Sequence, residues 1–247
     1  MFFLIFLGVV AANSASLPSI SAPEDRRETV VLLHGLGRTR WSMSPLATDL
    51  QAAGYRVVNL SYPSRSRPLE ELAEDWLPRQ LRAQGVEVGP RLHFVTHSMG
   101  GIIVRLWLRA QPVTTPIGRV VMLAPPNAGS ELTPRLNAFP PFRWFTGVNG
   151  RRLGPADTDL PRTLGPWPTE KGSLGVIAGD RSWNPLFSAW LAGPNDGKVS
   201  VASTHLAGEA AHVVLHASHT WLGWRRATLD QVRAFLRTGT FISSAAK

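Results

Sequence analysis

Six short apolar runs, separated by helix-like stretches, restrict this chain more than any other feature. Thr29–His34 reads TVVLLH, Tyr55–Leu60 reads YRVVNL and Arg91–His97 reads RLHFVTH. Arg119–Ala124, Leu174–Ala178 and His212–Ala217 repeat the pattern. Runs this short and this rich in Val, Ile and Leu suit strands buried on both faces. Between them lie helix-like segments: Ser44–Ala53 closed by Gly54, Leu69–Gln84, Met99–Gln111 and Trp221–Leu236. Pro78 lies inside the second of these and is expected to kink or split it, because proline lacks an N–H and crowds the preceding turn. Alternation of this kind predicts an α/β fold, a three-layer sandwich with helices on both faces of a mostly parallel sheet of about six strands.

The chain has 247 residues, of which 44% are hydrophobic and 17% charged. That is enough for one α/β domain with a substantial core and too apolar for a disordered one. The absence of cysteine excludes disulfides, thiolate metal sites and cysteine nucleophiles. The net charge of +9 is carried by scattered arginines, without the aromatic-interleaved basic stretch of a nucleic-acid module. No nucleic acid partner is therefore expected, although a basic surface favours anionic lipid or acidic substrates. Arg226, Arg233 and Arg237 are spaced to share one helix face, read as a solvated one.

Residues 2–12 (FFLIFLGVVAA) form an apolar run followed by small residues. The length suits a signal-peptide core and is too short for a membrane span. No Lys or Arg precedes the run, so 1–16 reads either as a signal peptide or as an uncleaved apolar anchor. Export or membrane anchoring is the expected localisation, with a cytoplasmic protein as the alternative. Residues 17–28 read as a linker into a domain over 29–240. Within that domain, 127–172 breaks the alternation with many Pro, Gly, Arg and aromatic residues. A stretch this long without periodicity predicts a lid or substrate wall, with Phe139, Phe142, Trp144 and Phe145 supplying apolar surface.

The chemistry concentrates where the third run ends. His97 is followed by Ser98, then Met99-Gly100-Gly101 and an apolar helix. A serine on a tight strand-to-helix turn projects its hydroxyl from the sheet edge. The helix behind it aims free N–H groups at developing negative charge. Gly100 is expected to ease the turn, having no Cβ.

His-Ser-Met-Gly-Gly after a strand resembles the nucleophile elbow of bacterial α/β-hydrolase lipases and esterases, with Thr96 where the usual glycine stands two residues before the serine. The loop His34-Gly35-Leu36-Gly37 resembles the family's oxyanion loop. The resemblance implies Ser98 as nucleophile and the backbone N–H groups of Leu36 and Met99 as oxyanion donors, with His34 structural. It implies an acid and a base later in the chain, in the order Ser, Asp, His. Asp196, in Asn195-Asp196-Gly197-Lys198-Val199, resembles the family's acid loop; Asp180, at the end of the fifth run, is the alternative. Of His205, His212, His216 and His219, the last resembles the catalytic histidine, lying where strand passes to helix. His212 and His216, within the last apolar run, read as structural, and His97 is expected to point away from the hydroxyl.

The resemblance covers roughly residues 28–240 and implies a minimal sheet lacking the first two strands of larger members. It implies a carboxylic ester hydrolase acting through an acyl-enzyme on a small-molecule ester or lipid, with transient contact at a lipid surface. No cofactor and no metal are expected. An acyltransferase, thioesterase or amidase would use the same residues, and a non-catalytic binding protein would carry a damaged set. The motifs leave the oligomeric state and acyl chain length open.

Overall fold

The computed structural model describes residues 27–112, 116–168 and 172–243. The apolar leader 1–16 and linker residues 17–26 lie outside them. Each of the six apolar runs is a strand: β1 (Thr29–Leu33), β2 (Arg56–Leu60), β3 (Leu92–His97), β4 (Val120–Leu123), β5 (Leu174–Gly179) and β6 (Ala211–Leu215). They form one sheet in the order β2-β1-β3-β4-β5-β6, every pair parallel. β1, β3, β4 and β5 are buried at every position. Their lack of polar alternation follows, since both faces are covered.

Successive side chains serve opposite faces. Val31, Leu33, Phe94, Met122 and Val176 join one core with Leu72, Leu77, Ile102 and Trp107. Val30, Leu32, Val95, Val121 and Ile177 join a second core with Leu46, Leu50, Val232 and Phe235. The helices Leu77–Ala83 and Met99–Ala110 therefore cover one face, and Ser44–Ala52 and Arg226–Thr238 the other. Each fully buried aliphatic or aromatic side chain contributes about 1.5–3 kcal/mol relative to exposure.

Two helices refine the sequence reading. Ahead of Pro78 the helix widens into a π turn, Leu72–Trp76, in which the Leu77 amide donates to the Leu72 carbonyl. The wider turn accommodates a ring that would clash in a regular helix. The closing helix starts at Arg226 rather than Trp221; Leu222–Trp224 is only a single tight turn. Its arginines are not simply solvated. Arg233 lies 3.2 Å from Asp49, and Arg226 reaches both Asp49 and Asp230, so the helix is tied to Ser44–Ala52.

Among the described residues, the aperiodic stretch 127–172 holds the short helices Leu132–Leu136, Pro140–Gly150 and Leu160–Thr163. It is fastened at several points. Arg105, buried on the Met99–Ala110 helix, donates to the Asn127, Pro161 and Gly165 carbonyls at 2.8–3.1 Å. Burial lowers its guanidinium to a pKa of about 10. Asn149 donates to the carbonyls of Ser64 and Arg67, and Arg152 pairs with Glu70. Gly147, at φ 63°, passes so close to the Arg65 carbonyl that a Cβ would sit 2.0 Å from its oxygen. No helix among the described residues is long and apolar enough to cross a membrane.

Candidate active site

β3 ends at the C-terminal edge of the sheet, between β1 and β4. Ser98 follows at φ 53°, ψ −123°, a conformation that L residues rarely adopt. The turn is held from below: the Ser98 amide donates to Leu123 at 2.8 Å, and the Gly101 amide to Ser98 at 3.0 Å. Strain of this kind costs about 1–3 kcal/mol and persists only where the surroundings enforce it. The left-handed residue is thus the serine itself. Gly100 has no positive φ, but its lack of a Cβ is needed, because a Cβ there would meet the Leu33 carbonyl oxygen at 2.7 Å. It lets the helix approach the end of β1. Thr96 fits without that allowance and is fully buried.

His219 and Asp196 come together from separate loops. His219 Nδ1 lies 2.7 Å from Asp196 Oδ2, and both residues are buried. The other carboxylate oxygen accepts from the Lys198 and Val199 amides at 2.9 and 2.8 Å. The His219 amide donates to the Asp196 carbonyl at 3.0 Å, closing a second link between the loops. Gly179, at the end of β5, leaves room for this, since a Cβ would stand 3.0 Å from the Asp196 Cβ and 2.4 Å from the Ala217 carbonyl oxygen. Asp180 has another partner: His216 Nδ1 lies 2.9 Å from its Oδ1 in an exposed pair.

The loop after β1 is shaped by His34. Its Nδ1 donates to the Gly35 carbonyl at 2.8 Å, and its Nε2 accepts from the Tyr62 amide at 3.2 Å. The ring stacks on Tyr62 at 4.0 Å, and burial lowers its pKa to about 4, so it is neutral. Gly35 passes against the Ser98 turn, where a Cβ would lie 3.2 Å from the Ser98 Cβ. Neither the Leu36 nor the Met99 amide donates a hydrogen bond among the described residues.

Ser98 and His219 line one cavity of about 300 Å³. Its floor is Gly35, Leu36 and His97; its walls include Leu132, Leu136, Phe142, Phe145 and Leu153 from the 127–172 stretch. Arg38 and Lys198 also face it.

Residues 30–238 match the model of the Alpha/beta hydrolase family. The chain belongs to that family. Among curated proteins, this α/β-hydrolase chain is 28% identical to the "Probable esterase PIR7A" of Oryza sativa subsp. indica over 122 residues. The match spans 47% of the chain and about half (46%) of the rice protein's length. Lipase BlEst2 of Bacillus licheniformis in its mature form is similar in fold, with a TM-score of 0.61 at 16% identity over 91% of this chain and 96% of that one. Its propeptide form gives 0.65 at 16% identity over 92% and 53% of the two chains. The metagenomic carboxyl esterase MGS0156 gives 0.59 at 18% identity over 81% and 66%. At these identities the likeness concerns the fold.

In this α/β-hydrolase, Ser98 and His219 share one cavity wall, Asp196 hydrogen-bonds His219, and the Leu36–Gly37 loop packs beside them. One expectation about a histidine is corrected. His216 lies just past β6 and is exposed, so it is not part of a packed strand. His97 is among the cavity's lining residues, and its Nε2 donates to the His219 carbonyl at 3.0 Å. Burial, followed by the charges of His219 and Lys198, holds its pKa well below the ordinary value. A neutral ring with its proton on Nε2 braces the loop that presents His219. Only the adjacency of His97 to Ser98 in the sequence hinted at this.

His205, Glu209 and His212 each bring one ligand atom within 4.8 Å of the others, outside the cavity. His205 already pairs with Glu209, and His212 Nε2 with Thr204 Oγ1, while the two rings stack at 3.8 Å. A cation there would have to displace these contacts.

Proposed function

We propose that this protein hydrolyses carboxylic esters through Ser98, His219 and Asp196. The observation that carries the reading is the coincidence of a strained, helix-capping serine and a carboxylate-paired histidine in the wall of one apolar cavity. Asp196 accepts the Nδ1 proton of His219, which leaves Nε2 as the base. His219 takes the proton of Ser98 as the hydroxyl oxygen attacks the ester carbonyl. The Leu36 and Met99 amides donate to the oxyanion, each worth roughly 3–4 kcal/mol of transition-state stabilisation. His219 returns its proton to the departing alcohol, leaving an acyl-enzyme. Water then attacks the acyl carbon, giving its proton to His219, and the acid is released as Ser98 is reprotonated. Besides the ester and this water, these steps use only groups of the chain.

The 127–172 stretch acts as a substrate wall. Its anchoring through Arg105, Asn149 and Arg152 supports this role, and Phe142 and Phe145 face the cavity. Trp144 and Phe139 on the same helix region are exposed and give the rim an apolar surface suited to lipid or apolar acyl groups. Export of the protein remains part of the proposal through the 1–16 segment.

Ser98→Ala tests the reading. The variant should fold and lose p-nitrophenyl ester hydrolysis by about three or more orders of magnitude. Retained hydrolysis would overturn it. A series from acetate to palmitate on the wild type reads out the acyl chain length the cavity accepts.

A further inference from the structure

The cavity lining is mostly apolar, with Ser130, Thr133 and Thr146 among its polar members. Its two permanently charged residues are both cations, Arg38 and Lys198. Neither side chain makes an ion pair or hydrogen bond among the described residues. Most other charges of the site are matched; Asp196, for example, faces His219 and two amides.

The two cations are mounted on backbone that the site itself holds. Arg38 closes the oxyanion loop, its amide donating to the Gly35 carbonyl at 3.2 Å. Lys198 follows the acid: its amide donates to Asp196 Oδ1, and its carbonyl accepts from Ser130 Oγ at 2.7 Å. Arg38 and Lys198 line the same cavity and lie near enough to act on each other and on His97, the residue before Ser98. The apolar surroundings, then the Arg38 charge, lower the Lys198 ammonium from its ordinary value, and Asp196 opposes the shift. Two like charges lining one cavity repel each other, and an anion entering between them relieves that repulsion.

Resting on the ester-hydrolase reading above, we propose that Arg38 and Lys198 form an anion-binding subsite for a phosphate or carboxylate on the alcohol portion of the ester substrate. The acyl portion takes the apolar wall of Leu132, Leu136, Phe142 and Leu153. Arginine offers a planar fork for two anion oxygens, and lysine a compact charge beside it.

The test compares kcat/KM for the hexanoyl esters of glycerol, glycerol 3-phosphate and glycerate. At low salt, at least one anionic ester should exceed the glycerol ester about tenfold or more, the expected scale of a charge-assisted contact. Whichever of the two leads identifies phosphate or carboxylate as the ligand. The advantage should shrink in 0.5 M NaCl, because the subsite opens to solvent. In Arg38→Gln and Lys198→Gln, the ratio of anionic to neutral kcat/KM should fall about tenfold. An equal or higher kcat/KM for the glycerol ester, or an unchanged ratio in both variants, would overturn the subsite while leaving the esterase standing. A wild-type enzyme inert toward all three, and toward p-nitrophenyl esters, would overturn the reading on which it rests.

Discussion

His219 Nδ1 and Asp196 Oδ2 lie 2.7 Å apart, and the pair is almost wholly shielded from water. The contrast with His216 and Asp180, 2.9 Å apart but exposed, distinguishes two carboxylate–histidine pairs of similar geometry. A charge pair in water contributes little; one in a water-excluded site orients an imidazole and stabilises its cation. Asp196→Asn should therefore lower kcat by about four orders of magnitude. Asp180→Asn should change it less than about twofold, being a surface substitution. Steady-state kinetics on one p-nitrophenyl ester decides between them, and a larger loss from Asp180→Asn would reverse the assignment.

His97 is a positioning residue. Its Nε2–H holds the His219 carbonyl, so removing the donor should loosen the histidine loop. His97→Leu should lose about tenfold in kcat, and His97→Gln, whose amide can donate in the same place, should recover most of it. A change in the acid limb of the kcat/KM–pH profile of His97→Leu, absent in His97→Gln, separates positioning from plain destabilisation.

Two glycines differ in what their substitution costs. A Cβ at Gly35 would press on His97 Nδ1 at 2.9 Å and on the Ser98 Cβ at 3.2 Å. Gly35→Ala should thus cost activity more than stability. At Gly100 the obstacles are the Leu33 and His34 carbonyl oxygens, at 2.7 and 3.0 Å. Backbone cannot step aside, so Gly100→Ala should destabilise the fold by about 1–3 kcal/mol, read as a lower midpoint in urea.

Stability should fall in acid for a reason visible in His34. Its folded pKa of about 4 lies below the ordinary 6.5, so the unfolded chain binds the proton first as pH drops. His34 costs nothing above pH ~6.5 and removes about 1 kcal/mol per pH unit between ~6.5 and ~4. His97 and His212 shift in the same direction. Urea midpoints should decline across that window, and His34→Gln should flatten the decline; a midpoint that rises toward pH 4 would contradict this.

Much of the fold could be read in advance because parallel strands covered on both faces leave continuous apolar runs. Ser98 and its loop partner could be read because a strand, a serine and glycines at fixed offsets mark a particular turn. The choice of Asp196 over Asp180 rested on the resemblance of its loop, because the pairing with a histidine depends on loops that meet only in three dimensions. The helices of 127–172 escaped notice because long-range contacts, such as Asn149 to Ser64 and Arg105 to Pro161, support them rather than an amphipathic stripe. The early end of β6 and the late start of the last helix share a cause. The chain between Leu215 and Arg226 is spent on placing His219, and its hydrogen bonds run to Asp196 and to tight turns.

On the proposed reading Ser98 is the activated nucleophile. Treating the protein with a fluorophosphonate and mapping the adduct by peptide mass spectrometry tests it most directly. One adduct per chain is expected, on Ser98, lost in Ser98→Ala and strongly slowed in His219→Ala. An unlabelled wild type, or labelling that persists in Ser98→Ala, would contradict it.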